Sequence, residues 1–231
     1  MNSGSLYIGT SGFSHDPWAQ GLFYPKDLPR KEWLRFYASH FNSVELNLTF
    51  QKVPEKDAFV EWQAQVPKDF RFSLKGFQYI THVKKLKGVS EPLRLFMDRV
   101  LKLKENLACV LWEIPPLGPD RKKLFEGFLS HLKKYPQAHH AFDLKDLSFV
   151  SPEVMDQVLK NKMSIVEPEG GKDLGDFPFR YFRSHGEKIE DIQRKMEKAL
   201  AAGEDCYAYF TDDAQGKAIQ DARSLLHMFK K

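Results

Sequence analysis

The chain has 231 residues, with 35 Lys and Arg against 31 Asp and Glu, a formal net charge of +4, and 42% hydrophobic residues. That apolar share supports a packed core and excludes a disordered chain, while the small basic excess leaves acidic partners open and points to none. No apolar run approaches the ~18–20 residues that cross a bilayer, and the first residues lack the charged start and apolar middle of a secretory signal.

The first strand-length apolar run is Leu6–Thr10, followed by a long loop bearing Phe13, Trp18, Phe23 and Tyr24. Helical periodicity over 30–40 leads to a second strand over 43–47 and a helix over 55–65. The third strand covers 70–75, with a helix over 92–104; the fourth covers 108–113, with a helix over 121–132. The fifth, 138–143, is followed by a helix over 152–160 that opens with Ser151 as N-cap and Pro152 in its first turn. The sixth, 163–166, runs into Glu-, Pro- and Gly-rich residues to 178 that read as loop, so one helix is missing there. The seventh, 179–183, precedes a helix over 188–202 stopped by Gly203, and the eighth, 206–210, precedes a helix over 214–229.

Eight strands alternating with seven helices predict a mostly parallel sheet, and about 29 residues per unit matches the ~30 of a βα repeat. The expected fold is a (β/α)8, TIM-barrel-like α/β domain spanning 1–231, with an incomplete unit after strand six. Cys109 and Cys206 sit in separate strands, four and eight, without a CxxC or Cys/His cluster. They read as small buried hydrophobes rather than a disulfide or zinc site, which fits a cytoplasmic location.

Barrel enzymes carry their chemistry at the C-terminal strand ends, and there the sequence places Thr10 and Ser11, Glu45 and Asn47, Lys75, Glu113, Asp143 and Lys145, Glu167, Arg183 and His185, and Thr211 and Asp212. Period-two alternation puts Glu45 with Asn47, Ser73 with Lys75, and Arg183 with His185 on single faces, leaving Val44, Leu46, Leu74 and Phe182 to the helices. Within this set the cations Lys75, Lys145 and Arg183 equal in number the anions Glu45, Glu113 and Asp143, so mutual pairing is available, as buried charges require.

The blocks at these strand ends also carry a family pattern. Ile8-Gly9-Thr10-Ser11-Gly12-Phe13, Phe23-Tyr24-Pro25, Phe41-Asn42-Ser43-Val44-Glu45-Leu46-Asn47 and Phe70-Arg71-Phe72-Ser73-Leu74-Lys75 resemble the DUF72, or YecE-like, family. Ile80-Thr81-His82, Ile114-Pro115-Pro116, Arg183-Ser184-His185-Gly186 and Tyr207-Ala208-Tyr209-Phe210 continue the resemblance in family order. It implies a TIM barrel with its site at the C-terminal rim, and kinship to sugar-isomerase-like barrels, without naming a reaction. The chain departs from the family pattern where Asp143, Lys145 and Asp146 stand for Glu, Arg and His, Gln51 for Tyr, and Glu113 for Gln. Lys does not reproduce the bidentate fork of Arg, so these changes imply an altered substrate or lost activity.

The first functional expectation is an enzyme doing acid/base chemistry on a small polar, sugar-like or anionic molecule. Glu45 is the candidate acid or base with His185 as its proton-transfer partner. Lys75 and Arg183 hold anionic charge, and Asp143 and Lys145 position the substrate. Asn47, His82, Glu113, Tyr24 and Trp18 complete the candidate binding set, the last two either as a wall over the rim or as a satellite core. Lys75 is read first as an ion partner of Glu45, with a Schiff-base role behind it. A non-catalytic barrel binding a metabolite or protein is the second expectation. Nucleic-acid binding through Lys84-Lys85-Leu86-Lys87, the cluster best placed for phosphate, is the third. No cofactor is expected, since neither GxGxxG nor GxxxxGK[ST] occurs, and a divalent metal at His82, His185 and the carboxylates lacks HxH or HExxH spacing.

Overall fold

The computed structural model describes residues 4–118, 121–149, 151–170, 174–212 and 214–230. Eight parallel strands, β1 (Leu6–Thr10), β2 (Ser43–Leu46), β3 (Arg71–Lys75), β4 (Leu107–Ile114), β5 (His139–Leu144), β6 (Ser164–Glu167), β7 (Phe179–Ser184) and β8 (Asp205–Phe210), follow one another around a barrel. The helices outside them are α1 (Trp33–Ala38), α2 (Leu48–Gln51), α3 (Lys56–Ala64), α4 (Ser90–Val100), α5 (Arg121–Leu132), α6 (Pro152–Lys160), α7 (Ile189–Ala201) and α8 (Lys217–Met228). The expected Ser151 cap is present: its hydroxyl accepts from the Val154 amide at 3.4 Å. Among the described residues no helix stands between β6 and β7, in keeping with the incomplete unit, and none is long and apolar enough to cross a membrane. Residues 171–173 of that segment lie outside the described residues.

Strand alternation divides the protein into two cores. Outward residues such as Val44, Leu74, Val110, Phe142 and Phe182 pack under the helices. Inward residues Cys109, Leu111, Ala141, Phe179, Tyr181, Tyr207 and Tyr209 fill the barrel, so its interior is packed rather than hollow. A buried tyrosine hydroxyl needs a partner, and small serines on the facing strands supply it: Tyr209 Oη lies 2.6 Å from Ser43 Oγ and 2.8 Å from Ser73 Oγ. Cys109 and Cys206 are free and buried.

The join between β1 and β2 is made differently. Only one bridge, Ser11 with Glu45, pairs the two strands, and the Gly12 amide donates to the Glu45 carbonyl at 2.7 Å. Below it, side chains take the place of a ladder. Asn42 accepts from the Ile8 amide (2.9 Å) and donates to the Leu6 carbonyl (2.7 Å). Tyr37 Oη accepts from the Thr10 amide (2.8 Å) and donates to the Ser43 carbonyl (3.1 Å). A Cβ on Gly9 would lie 1.9 Å from the Ser43 carbonyl oxygen and 2.8 Å from the Tyr37 hydroxyl, so only glycine allows this approach.

Where the helix after β6 is missing, charge stands in for an apolar helix face. Arg180, pointing outward from β7, pairs with Glu167 of β6 at 2.6 Å, lies 3.7 Å from Glu204, and donates to the Gly175 carbonyl at 2.8 Å. Arg180 and Glu167 are buried. Glu167, expected among the rim groups, therefore faces outward, because the strand's inward position is Val166. The adjacent His139 and His140 point to opposite faces, as neighbours on a strand do. His139 stacks on Phe179 within the barrel, while His140 accepts from Trp112 Nε1 at 3.2 Å under the helices.

Three outcomes follow from this architecture. Gly9→Ala is expected to cost about 3 kcal/mol or more in urea denaturation, since neither backbone nor tyrosine can yield. Arg180→Met, which leaves Glu167 buried without its cation, is expected to lose about 3–5 kcal/mol, with Arg180→Met/Glu167→Met recovering most of it. Burial drives the His140 imidazole down to about 4, whereas in the unfolded chain it titrates near the usual ~6.5. Between those values the unfolded chain binds the proton and the folded one does not, so stability falls as pH drops. The loss at pH 5 is about 2 kcal/mol relative to pH 8, and His140→Gln, whose amide can accept from Trp112 and donate to the Tyr135 carbonyl as the imidazole does, flattens that slope.

Candidate functional site

Glu45 is the deepest charge at the C-terminal end of the barrel and has no exposed surface. Inward parity at β2 aims it at β7 across the ring. There Arg183 Nε lies 3.1 Å from both carboxylate oxygens, Tyr181 donates to Oε2 at 2.7 Å, and Ser11 donates to Oε1 at 2.6 Å. Asn47 in turn donates to Ser11 Oγ at 2.8 Å. Burial and the charge of Glu45 raise the Tyr181 pKa, so this hydroxyl stays a donor. Burial opposes the Arg183 charge, but the facing carboxylates of Glu45 and Asp143 outweigh it and hold the guanidinium protonated.

From Arg183 the pairing continues along the rim. Its Nη1 lies 3.4 Å from Asp143 Oδ2, and Lys145 Nζ donates to the same oxygen at 2.7 Å. Lys145 is also 3.8 Å from Glu113 Oε2, which receives Lys75 Nζ at 2.8 Å, while His82 Nε2 lies 3.3 Å from Glu113 Oε1. The result is one run of alternating sign, Glu45, Arg183, Asp143, Lys145, Glu113, Lys75, built from five strand ends. Burial favours a neutral Glu113, but the Lys75 hydrogen bond and the charges of Lys75, Lys145 and His82 together hold its carboxyl below the ordinary range. Phe50 of α2 lies under this end: Lys75 Nζ is 4.2 Å from its ring centre, and the His82 ring meets it edge-on at 5.2 Å. A single turn of π-helix, Tyr79–Val83, carries His82 to this position, with Thr81 Oγ1 2.8 Å from its Nδ1.

Glu45, Asn47, Arg183, Asp143, Lys145, Glu113, Lys75 and His82 are thus brought together. Lys75 pairs with Glu113, not with Glu45 as expected: the register sets Glu45 beside Ser73 and leaves Lys75 one inward step higher. Glu45 and His185, expected to share a proton, make no hydrogen bond or ion pair with each other; His185 is exposed and lies 3.7 Å from Glu169. Trp18 and Tyr24 belong to the main core under the helices and form no wall over the rim. Both are fully buried, Tyr24 stacks on Trp33 at 4.6 Å, and its hydroxyl donates to the Phe13 carbonyl. Asp146 turns toward α5, where it pairs with Arg121 at 2.9 Å. Phe50 and Tyr181 are missing from the sequence-based set, and Ser11 is placed at the rim without a role; Tyr181 has the inward parity of Arg183 and is recoverable from it.

A cleft of about 390 Å³ opens beside this run, lined by Asp143, Lys145, Val166, Glu169, Arg183 and His185. It lies where the helix after β6 is absent. Arg183 Nη2 has no hydrogen-bond partner among the described residues. A larger groove of about 490 Å³ on the outer surface, walled by Val53, Phe77, Tyr79, Leu95 and Phe96, contains none of these charges. No group of three or more His, Cys, Asp or Glu side chains arranged for a metal ion occurs among the described residues.

Comparison with known proteins agrees with this geometry. The chain is 26% identical over 198 residues to the UPF0759 protein YecE of Escherichia coli K12, covering 84% of this chain and 67% of that protein. It is 22% identical over 272 residues to the UPF0759 protein YunF of Bacillus subtilis, covering 96% and 94%. Among solved structures, a DUF72 family protein of Thermotoga maritima matches with a TM-score of 0.82 at 22% identity, covering 98% of this chain and all of that one. A second, from Enterococcus faecalis, matches with a TM-score of 0.77 at 18% identity over the full length of both. These likenesses show the barrel fold, and the family model described as "Protein of unknown function DUF72" matches residues 7–231: the chain belongs to the DUF72 family.

Proposed function

We propose that the C-terminal rim binds a small polar molecule, hydroxyl-bearing or anionic, and performs acid/base chemistry on it. The observation that carries this reading is the unbroken run of alternating charges bordering an open cleft. Three carboxylates facing three cations sum to no net charge, so a hydroxylated ligand can exchange hydrogen bonds with both signs without stranding a charge. Glu45 serves by position, since donors from Ser11, Tyr181 and Arg183 already occupy its oxygens. Held through Nε, Arg183 has Nη2 left for the ligand, with Lys145 as a second donor and Asp143 as acceptor. Proton transfer falls to Glu113 with His82, which share a contact of 3.3 Å and retain partial exposure.

The position of Asp146 favours one other reading. Where the family pattern has His, this residue is tied to Arg121 and Ser148 outside the cleft. A barrel that binds the same class of molecule without turning it over is what that arrangement supports.

One experiment separates these. Sugars, sugar acids, sugar phosphates and hydroxy acids are screened by ligand-observed NMR, and those that bind are incubated in D2O to follow exchange of carbon-bound protons. Binding by the wild type is expected to weaken about tenfold or more in Asp143→Asn and Lys145→Met, with melting temperatures within about 2 °C of wild type. Proton exchange that disappears in Glu113→Gln supports catalysis, whereas binding without exchange supports the second reading. If no such molecule binds, or if the hits bind the variants equally well, the rim is not the site.

A further inference from the structure

Away from the rim, a second groove of about 420 Å³ runs between the loop after the π-helix and helix α5. Leu86, Lys87 and Gly88 line one wall and Lys123, Gly127 and His131 the other, and no acidic residue lines it. Five lysines elsewhere, Lys75, Lys145, Lys160, Lys195 and Lys217, each have a carboxylate within 4 Å. Lys87, Lys123 and His131 make no ion pair among the described residues, and Lys84 and Lys85 beside them make none either.

Two features shape this groove. The loop is held in a costly conformation: Lys85 and Leu86 have φ of 46° and 65°, a left-handed geometry that non-glycine residues adopt rarely. Leu86 is buried as an anchor, and its amide donates to the Ile80 carbonyl at 3.1 Å, which turns Lys85 and Lys87 out to solvent. Opposite, Gly127 sits in the middle of α5, where glycine is the poorest helix former after proline. A Cβ there would meet nothing within 4 Å, so no packing contact calls for glycine. Its missing side chain leaves the groove open.

We propose that this groove binds a chain of phosphates, carried either by a phosphorylated small molecule or by a nucleic-acid backbone. Lys123 and His131 are eight residues apart on α5, about 12 Å along the axis, which is more than one phosphate spans. Lys87 faces them, so two or more phosphates are contacted together. The ammonium groups supply charge, and the ring N–H of His131 supplies a directed donor.

The test uses the whole protein with two probes, inorganic triphosphate and a single-stranded oligoribonucleotide, each titrated at low and at raised salt. Binding of at least one probe is expected, weakening steeply as salt rises. Triphosphate binding alone identifies a small phosphorylated ligand, and oligonucleotide binding alone identifies a nucleic-acid backbone. Lys87→Ala/Lys123→Ala is expected to weaken binding about tenfold or more, whereas the equally charged control Lys52→Ala/Lys102→Ala leaves it within about twofold. Gly127→Gln, which fills the groove without changing charge and improves the helix, should abolish binding while the melting temperature is unchanged or raised. The proposal is overturned if neither probe binds at low salt, if the control pair loses as much affinity as the groove pair, or if Gly127→Gln binds like wild type.

Discussion

A carboxylate with no exposed surface needs donors around both its oxygens, and Glu45 sets that demand at the centre of the rim. Two strands answer it: β1 extends to bring Ser11, and β7 brings Tyr181 and Arg183 on successive inward positions. Once Arg183 is fixed there, its far side needs a counter-charge, which Asp143 supplies, and each later member of the run answers the one before. The backbone of the same residue closes the barrel, since the Glu45 carbonyl accepts the Gly12 amide. Closure of the fold and organisation of the cleft therefore depend on one position.

The missing helix after β6 shows the same physics on the outer wall. A strand face normally buried under apolar side chains is instead covered by a loop, with Arg180 and Glu167 paired beneath it. Such a pair adds little net stability against a hydrophobic alternative, but it makes each partner indispensable to the other. The cleft beside Asp143 and Arg183 is walled on this side by Pro168, Glu169 and Leu174 of the segment that follows β6.

Much of this was legible from residue order. Strand alternation identified Glu45, Arg183 and Lys75 as inward, because a period of two needs no knowledge of neighbours. Partner choice was not legible: parity gives a face, whereas height in the barrel comes from register, and the pairing of Ser73 with Glu45 lifts Lys75 to the level of Glu113. Trp18 and Tyr24 were ambiguous because a loop aromatic reads alike as ligand wall or as core, and only the stacking on Trp33 decides. Glu167 was placed at the rim since its strand was read one residue early. The short α2 and the π-turn carrying His82 are too brief to leave a periodic signal, yet they position Phe50 and His82 at the Glu113 end of the rim.

The seam between β1 and β2 has a consequence for how the protein comes apart. A barrel joined by ladders all round has no edge, but here one join rests on a single bridge, with the side chains of Asn42, Tyr37, Ser11 and Asn47 carrying the rest. It is the hoop's weakest stave. When it opens, the other seven junctions can persist, and the barrel becomes an open sheet bounded by β1 and β2. Both would then expose unpaired backbone donors and acceptors, a template for another strand. Asn42 and Tyr37 thus stand guard over two latent edges, and their value lies in solubility and faithful folding as much as in stability.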